Sequence, residues 1–334
     1  MTIRAQTALT LTLKVERFAY RQPFRISGHV FTETPVLVAE IGNGRHTGRG
    51  EGAGVYYLGD DIDHMLAEAE RARPAIETGI TREGLQSLMP AGGARNAIDC
   101  ALWDLEAKTT GRPAWQAAGL GPPRVLKTTL TLGADTPDAM AKAAMELDPY
   151  APVKVKLTGD LHDDVARLQK IRAARPRAWI GVDANQGYRR DTLERLQPML
   201  VDCDIAMLEQ PLPRGEEAGL DGLKRRLPFV ADESAVTLAD VPSLAGRFDV
   251  VNIKLDKCGG LTAALAIAEE ARRLGLGVMV GNMMGTSLSM APSFLLGQLC
   301  DIVDLDGPTF LAKDRDPGVI YHLGTIACPP SIWG

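Results

Sequence analysis

The sequence predicts an α/β chain: a β/α barrel preceded by a smaller α+β unit. Three observations predict it. Before residue 121, two strand-like runs lead into helical stretches. After Gly121-Pro122-Pro123, eight short β-rich runs alternate with amphipathic segments to about residue 303, the rhythm of repeated strand–loop–helix units. Charged residues then recur at the ends of five consecutive runs, as they would around one rim of a closed barrel.

In the first unit, the runs 9–20 and 36–41 flank a loop at 21–34, and helices are expected over 62–77 and 93–109. Within the second helix Ala97, Ile98, Ala101, Leu102 and Leu105 fall at helical spacing. The glycine-rich stretch 48–54 lacks the G-x-G-x-x-G spacing and is expected to form a turn near the barrel mouth. The barrel runs are 126–132, 153–157, 179–182, 205–208, 229–230, 250–253, 278–280 and 302–303, with helices such as 161–174, 192–199 and 261–274 between them. An open doubly wound sheet is the rival architecture. Residues 318–334 return to polar and turn residues and are expected to pack back on the first unit. The organisation expected is thus a capping unit 1–120, a barrel 121–315 and a C-terminal segment 316–334.

Composition narrows the function. The 334 residues carry 37 Lys+Arg against 42 Asp+Glu, a net charge of −5, which argues against a dedicated nucleic-acid binder. No apolar run reaches the roughly 18 residues of a membrane span. Five scattered cysteines without C-x-x-C spacing fit reduced thiols, and the N-terminus has no apolar leader, so a cytoplasmic location is expected. There is no P-loop and no G-x-S-x-G elbow. The five histidines show no metal-ligand spacing, although His29 sits in the loop 21–34.

The run ends carry the chemistry. They are Lys154-Val155-Lys156, Asp183, Glu209, Asp232 and Lys254, spaced 27, 26, 23 and 22 residues apart from Lys156 onward. Each interval is about one strand–helix unit. One such acid alone is as readily a helix N-cap. Three on adjacent strands would repel one another unless neutralised, and an all-oxygen set suits Mg²⁺. Lys154 and Lys156, two apart in a strand, face the same side. Close together, they are expected to lower each other's pKa, so that one can act as a base. Lys254, four strands further round, would approach the other face of a substrate. A base, an acid and a cation between them suit removal of a proton α to a carboxylate, with the metal stabilising the enediolate.

These residues, with the stretch 88–108, give the chain a likeness that extends over nearly its whole length. It resembles the enolase superfamily, in the muconate-lactonising subgroup, and within it the dipeptide epimerases of the L-Ala-D/L-Glu type, on the segments NIKLDKCGGL (252–261) and DLDGPTF (304–310). The resemblance implies a modified barrel of (β/α)7β type and an N-terminal capping domain. It implies that Lys156 and Lys254 exchange protons on the two faces of the substrate, that Lys154 helps bind the carboxylate, and that Asp183, Glu209 and Asp232 hold one Mg²⁺. Asp304 and Asp306 would hold the free ammonium of a dipeptide, and two acids in a cleft do select a cationic amine. Thr129 and Asn282 would line the substrate pocket. A homo-oligomer is compatible with it, with a small dipeptide as the partner molecule.

One departure bears on the substrate. Relatives selective for Glu place an Arg in the capping loop, where ungapped counting from Pro23-Phe24 reaches Gly28 here. Arg25 lies in the same loop and could substitute. Dipeptide epimerisation is therefore the expected activity, and the side chain it accepts stays open. The alternatives on the same scaffold are N-acylamino-acid racemisation and lyase chemistry of the o-succinylbenzoate synthase or muconate cycloisomerase kind. Asp304 and Asp306 argue against both, since those substrates carry no ammonium.

Overall fold

The structure, a computed structural model, describes residues 8–26 and 29–334. Gly28 and the side chains of Arg25 and His29 lie outside the described set, so the expectations placed on them are left there.

Three antiparallel strands open the chain: β1 (Thr10–Ile26), β2 (His29–Gly42) and β3 (Thr47–Ala53). The loop expected over 21–34 is instead the distal part of a long hairpin, in which Phe24 pairs with Phe31 after a register shift between Ala19 and Phe24. Its polar and proline-containing sequence obscured the strand, because the shift breaks the alternation that marks a strand in sequence. Helices Ile62–Glu77, Arg82–Leu88 and Gly93–Thr110 cover one face of this sheet. Asp61 and Thr81 cap the first two by accepting from backbone N–H groups three residues on.

The glycine-rich stretch is strand β3, not a turn. Gly48, Gly50 and Gly52 alternate along it, so they share one face. A Cβ on each would lie 2.1 Å from a carbonyl oxygen of Ala101, Ala97 or Gly93 in the helix Gly93–Thr110. Glycine is needed here because helix and strand backbones touch, and nearly every residue of that helix is buried as a result.

The second unit holds β4 (Leu126–Lys127) and then eight parallel strands: β5 (Leu130–Leu132), β6 (Val153–Lys156), β7 (Ile180–Asp183), β8 (Met207–Glu209), β9 (Phe229–Ala231), β10 (Val250–Ile253), β11 (Gly277–Val280) and β12 (Ile302–Val303). They pair in chain order, and the sheet curls until Thr129 N donates to Val303 O, linking the first strand to the last. The strands are buried on both faces and read as apolar runs: Val153, Val155, Ile180, Val182, Val251, Ile253, Val278 and Val280 all belong to one core.

The single run expected at 126–132 splits in two. Leu126–Lys127 pairs with β14 (Thr325–Ala327), which forms a hairpin with β13 (Ile320–His322), and only Leu130–Leu132 enters the barrel. Between them Thr128 Oγ1 accepts from Leu305 N, so the chain changes partners there. Helices cover most crossovers, including Leu161–Ala174, Arg190–Asp202 and Leu261–Arg273. The β8–β9 connection, rich in proline and glycine, has only a 3-10 turn at Glu217–Leu220, and β12 runs into another at Gly307–Phe310 rather than a barrel helix.

The helix Gly93–Thr110 docks the first unit on the loop after β10. Asp256 accepts from Ala53 N and Asn96 Nδ2, Arg95 donates to the Cys258 and Gly259 carbonyls, and Asp99 accepts from Thr262 N. Gly260, at φ +113°, lies where a Cβ would strike Asp99. At the end of the chain, Trp333 Nε1 donates to Cys100 O and Gly334 N to Asp104.

Gly50→Ala should destabilise the protein by at least about 2 kcal/mol in urea unfolding followed by circular dichroism, because the added methyl forces helix and strand apart. A change below about 0.5 kcal/mol would contradict the close approach.

Candidate active site

Parallel pairing places the charged strand ends side by side. Lys156 is the register partner of Asp183, and Asp183 of Glu209, so their side chains leave the same face of the sheet at the same level. Asp232 and Lys254 follow directly after β9 and β10. One carboxylate oxygen from each of Asp183, Glu209 and Asp232 lies within 4.8 Å of the others, and all three side chains are buried.

The lysines are drawn onto these acids. Lys156 Nζ is 2.6 Å from Asp183 Oδ2, and Lys254 Nζ is 2.6 Å from Asp232 Oδ2. Lys154 Nζ lies 2.8 Å from both Glu209 Oε2 and Asp304 Oδ2, and 3.4 Å from Asp183. For Lys154 this corrects the expectation of a lowered pKa. Burial alone would pull Lys154 and Lys254 down, but Asp304 beside the first and Asp232 beside the second, backed by Glu209 and Asp183, hold both above the usual lysine range. The carboxylates respond in kind. Burial would raise Asp183 and Asp232, yet Lys156 and Lys254 respectively hold them below the ordinary value. Glu209, in contact with a single ammonium, is pushed up to about 8 by burial and by Asp183.

Asp304 and Asp306, after β12, are also buried but differ in occupation. Asp304 spends both oxygens, one on Thr129 Oγ1 and one on Lys154 Nζ, and its carbonyl accepts from Asn282 Nδ2. Asp306 accepts from Thr131 N, and burial together with Asp304 pushes its carboxyl up to about 7. A cavity of about 290 Å³ lies over these groups, with Lys154, Lys156, Asp232, Lys254, Asn282, Asp304 and Asp306 in its wall. Thr129 is not in the wall; it stands behind Asp304, and Thr131 takes that place. The hairpin of the first unit roofs the cavity with Tyr20, Phe24 and Phe31, and Tyr56 joins them from the turn after β3. Thr34 Oγ1 donates to Met284 O, and Glu51 accepts from Thr286 and Arg315, which ties the roof to the loop after β11.

Sequence inspection missed several members of the cluster. Glu233, next to Asp232, is buried, lines the cavity and is pushed up to about 7 by burial and by Asp232. Asn252 Nδ2 donates to Glu209 Oε1, and Asn185 reaches Asp183 and Glu233. Lys257, buried, contacts Asp232. Glu233 adjoins Asp232, and Asn185 and Asn252 lie two residues from Asp183 and Lys254; that nearness was the only signal they carried.

The arrangement fits a hard divalent cation. Glu209 Oε2 faces the Lys154 ammonium yet sits outside hydrogen-bonding angle, and Glu233 Oε2 and Asn252 Oδ1 accept nothing among the described residues. The donors are all oxygen, as Mg²⁺ prefers. The six acids Asp183, Glu209, Asp232, Glu233, Asp304 and Asp306 stand against four lysines, a formal surplus of two negative charges among the described residues.

Residues 8–119 match the mandelate racemase/muconate lactonizing enzyme N-terminal domain family, and residues 138–309 match the enolase C-terminal domain-like family. The chain is 39% identical over 317 residues to an L-Ala-D/L-Glu epimerase of Escherichia coli K12, covering 94% of this chain and 99% of that one. It is 42% identical over 257 residues to an N-acetyl-D-glutamate racemase of a Pseudoalteromonas species, covering 75% and 79%. It superimposes with a TM-score of 0.94, at 41% identity and 98% and 100% coverage, on the crystal structure of an enolase family member from Agrobacterium tumefaciens with homology to dipeptide epimerases, which holds sodium and L-Ala-L-Glu. With both halves of the chain matched and the acids and lysines gathered on one rim, this protein belongs to the enolase superfamily and, within it, to the dipeptide epimerase family of isomerases.

Proposed function

We propose that the chain inverts the α-carbon of the C-terminal residue of an L,L-dipeptide by 1,1-proton transfer between Lys156 and Lys254. L-Ala-D/L-Glu epimerisation is the activity named for a relative 39% identical to this chain. The observation that carries this reading is that Lys156 and Lys254, from strand ends four strands apart, open on one cavity that Asp232 of the acid triad and the Asp304/Asp306 pair also line. In this reading residues 1–120 roof the site, 121–315 supply its reacting groups, and 316–334 brace the two.

Asp183, Glu209 and Asp232 would hold one Mg²⁺. When bound, the ion supplies positive charge that offsets the triad and stabilises the charge developing on the substrate carboxylate. One lysine, as the free amine, accepts the α-proton; the other, as the ammonium, returns a proton from the opposite face. Lys154 neutralises the carboxylate end. Asp306 is the better partner for the substrate ammonium, because both oxygens of Asp304 are already engaged. An N-acylated amino acid offers Asp306 no cation, which favours a dipeptide over the N-acylamino-acid and lyase alternatives.

The test is solvent exchange. With Mg²⁺ and a library of L,L-dipeptides in D₂O, mass spectrometry should show a one-unit gain at the C-terminal residue. Exchange confined to acylated amino acids would reject the dipeptide reading. Lys156→Ala and Lys254→Ala should each abolish epimerisation, and one of them should still exchange the α-proton of a single enantiomer. Normal epimerisation by both variants would refute the two-base assignment.

Ion binding has its own readout. Saturating Mg²⁺ should raise the Tm, since a ligand at 100 times its Kd stabilises by about 2.7 kcal/mol. Asp183→Asn should remove that rise.

Asp306 predicts a pH dependence. Its raised carboxyl is neutral below about 7 and anionic above. Because the substrate ammonium needs the anion, KM for L-Ala-L-Glu should fall as pH rises from 6 to 8. Asp306→Asn should raise KM and flatten that slope; an unchanged slope would assign it to another group.

A further inference from the structure

Lys257 is the deepest cation of the cluster and has no place in the proton transfer. It lies in the short helix Leu255–Cys258, is 1% exposed and is not among the residues lining the cavity. An ammonium has three protons to donate. Lys257 Nζ meets three acceptors: Asp232 Oδ1 at 2.6 Å, Asp232 O at 2.5 Å and Asn252 O at 3.1 Å. Two are carbonyls, one just beyond β9 and one within β10, so the ammonium staples those neighbouring strand ends. The third fixes the rotation of the Asp232 carboxylate. Its other oxygen, Oδ2, is thereby turned towards Lys254, which lies 2.6 Å away. The two oxygens of one acid are thus divided between a lysine that opens on the cavity and a lysine that does not.

We propose that Lys257 is a positioning residue. It ties the ends of β9 and β10 together and fixes the rotation of the Asp232 carboxylate, so that Oδ2 stays turned towards Lys254 and the ion site. The inference rests on the reading of Asp183, Glu209 and Asp232 as the ion site, and goes beyond it by assigning a residue that touches neither ion nor substrate.

The experiment measures Mn²⁺ binding to the substrate-free protein by electron paramagnetic resonance titration. The proteins compared are wild type, Lys257→Met, Lys257→Gln, Asp232→Asn and the double variant Asp232→Asn/Lys257→Met. Lys257→Met should bind Mn²⁺ at least ten-fold more weakly than wild type. Lys257→Gln, which keeps donors for the carbonyls but no charge, should fall between. The double variant should bind no more weakly than Asp232→Asn alone, because Lys257 acts through Asp232. Wild-type affinity in a folded Lys257→Met, or an additive loss in the double variant, would overturn the proposal. If Lys257→Met does not fold, Asp232→Asn/Lys257→Met should regain the native circular dichroism spectrum, since the load on Lys257 is the charge of Asp232; failure to regain it overturns the proposal too. Absence of Mn²⁺ binding by wild type would instead refute the ion-site reading itself.

Discussion

Mutual neutralisation of buried charge at the carboxyl ends of five adjacent strands is the constraint on which the rest of this molecule depends. Asp183, Glu209 and Asp232 have almost no exposed surface, and carboxylates so placed survive only with partners at contact distance. The lysines supply those partners: Lys156 and Lys254 each stand beside the acid of the neighbouring strand, and Lys154 reaches past β7 to Glu209. Strand register does the arranging. A slip of one residue in β7 would turn Asp183 to the other face and take from Lys156 the acid it pairs with.

The first unit answers the same constraint from above. Its hairpin covers the cavity with aromatic rings, and its helix Gly93–Thr110 grips the loop that begins at Lys254. Excluding water strengthens every interaction between the groups beneath. The glycines of β3 make this possible by letting the helix lie flush on the sheet, which brings Asn96 and Asp99 within reach of the barrel loop.

Much of this was legible in the sequence because it repeats. The strand–helix rhythm exposed the barrel, and charged residues at unit spacing exposed its rim. What escaped had no period to reveal it. Lys257 resembles any lysine of a short helix until Asp232, 25 residues earlier, is seen beside it. Glu233 was hidden by Asp232, and Thr131 by Thr129. The hairpin over 21–34 looked like a loop because its register shift interrupts the alternation on which recognition relies. The Lys154 pKa went the other way because its ammonium meets Asp304 and Glu209, both from distant segments, at 2.8 Å.

The grip of helix Gly93–Thr110 on the segment from Lys254 to Thr262 reaches beyond this molecule. Asp256, Cys258, Gly259 and Thr262 all answer to side chains or backbone of the first unit, while Lys254 and Lys257 of the same loop answer to Asp232. Roof and reaction centre therefore share one hinge of sequence. A chimera that exchanged the roof between two relatives would have to carry this loop with it, or the transplanted lid would drag a lysine of the reaction centre out of register.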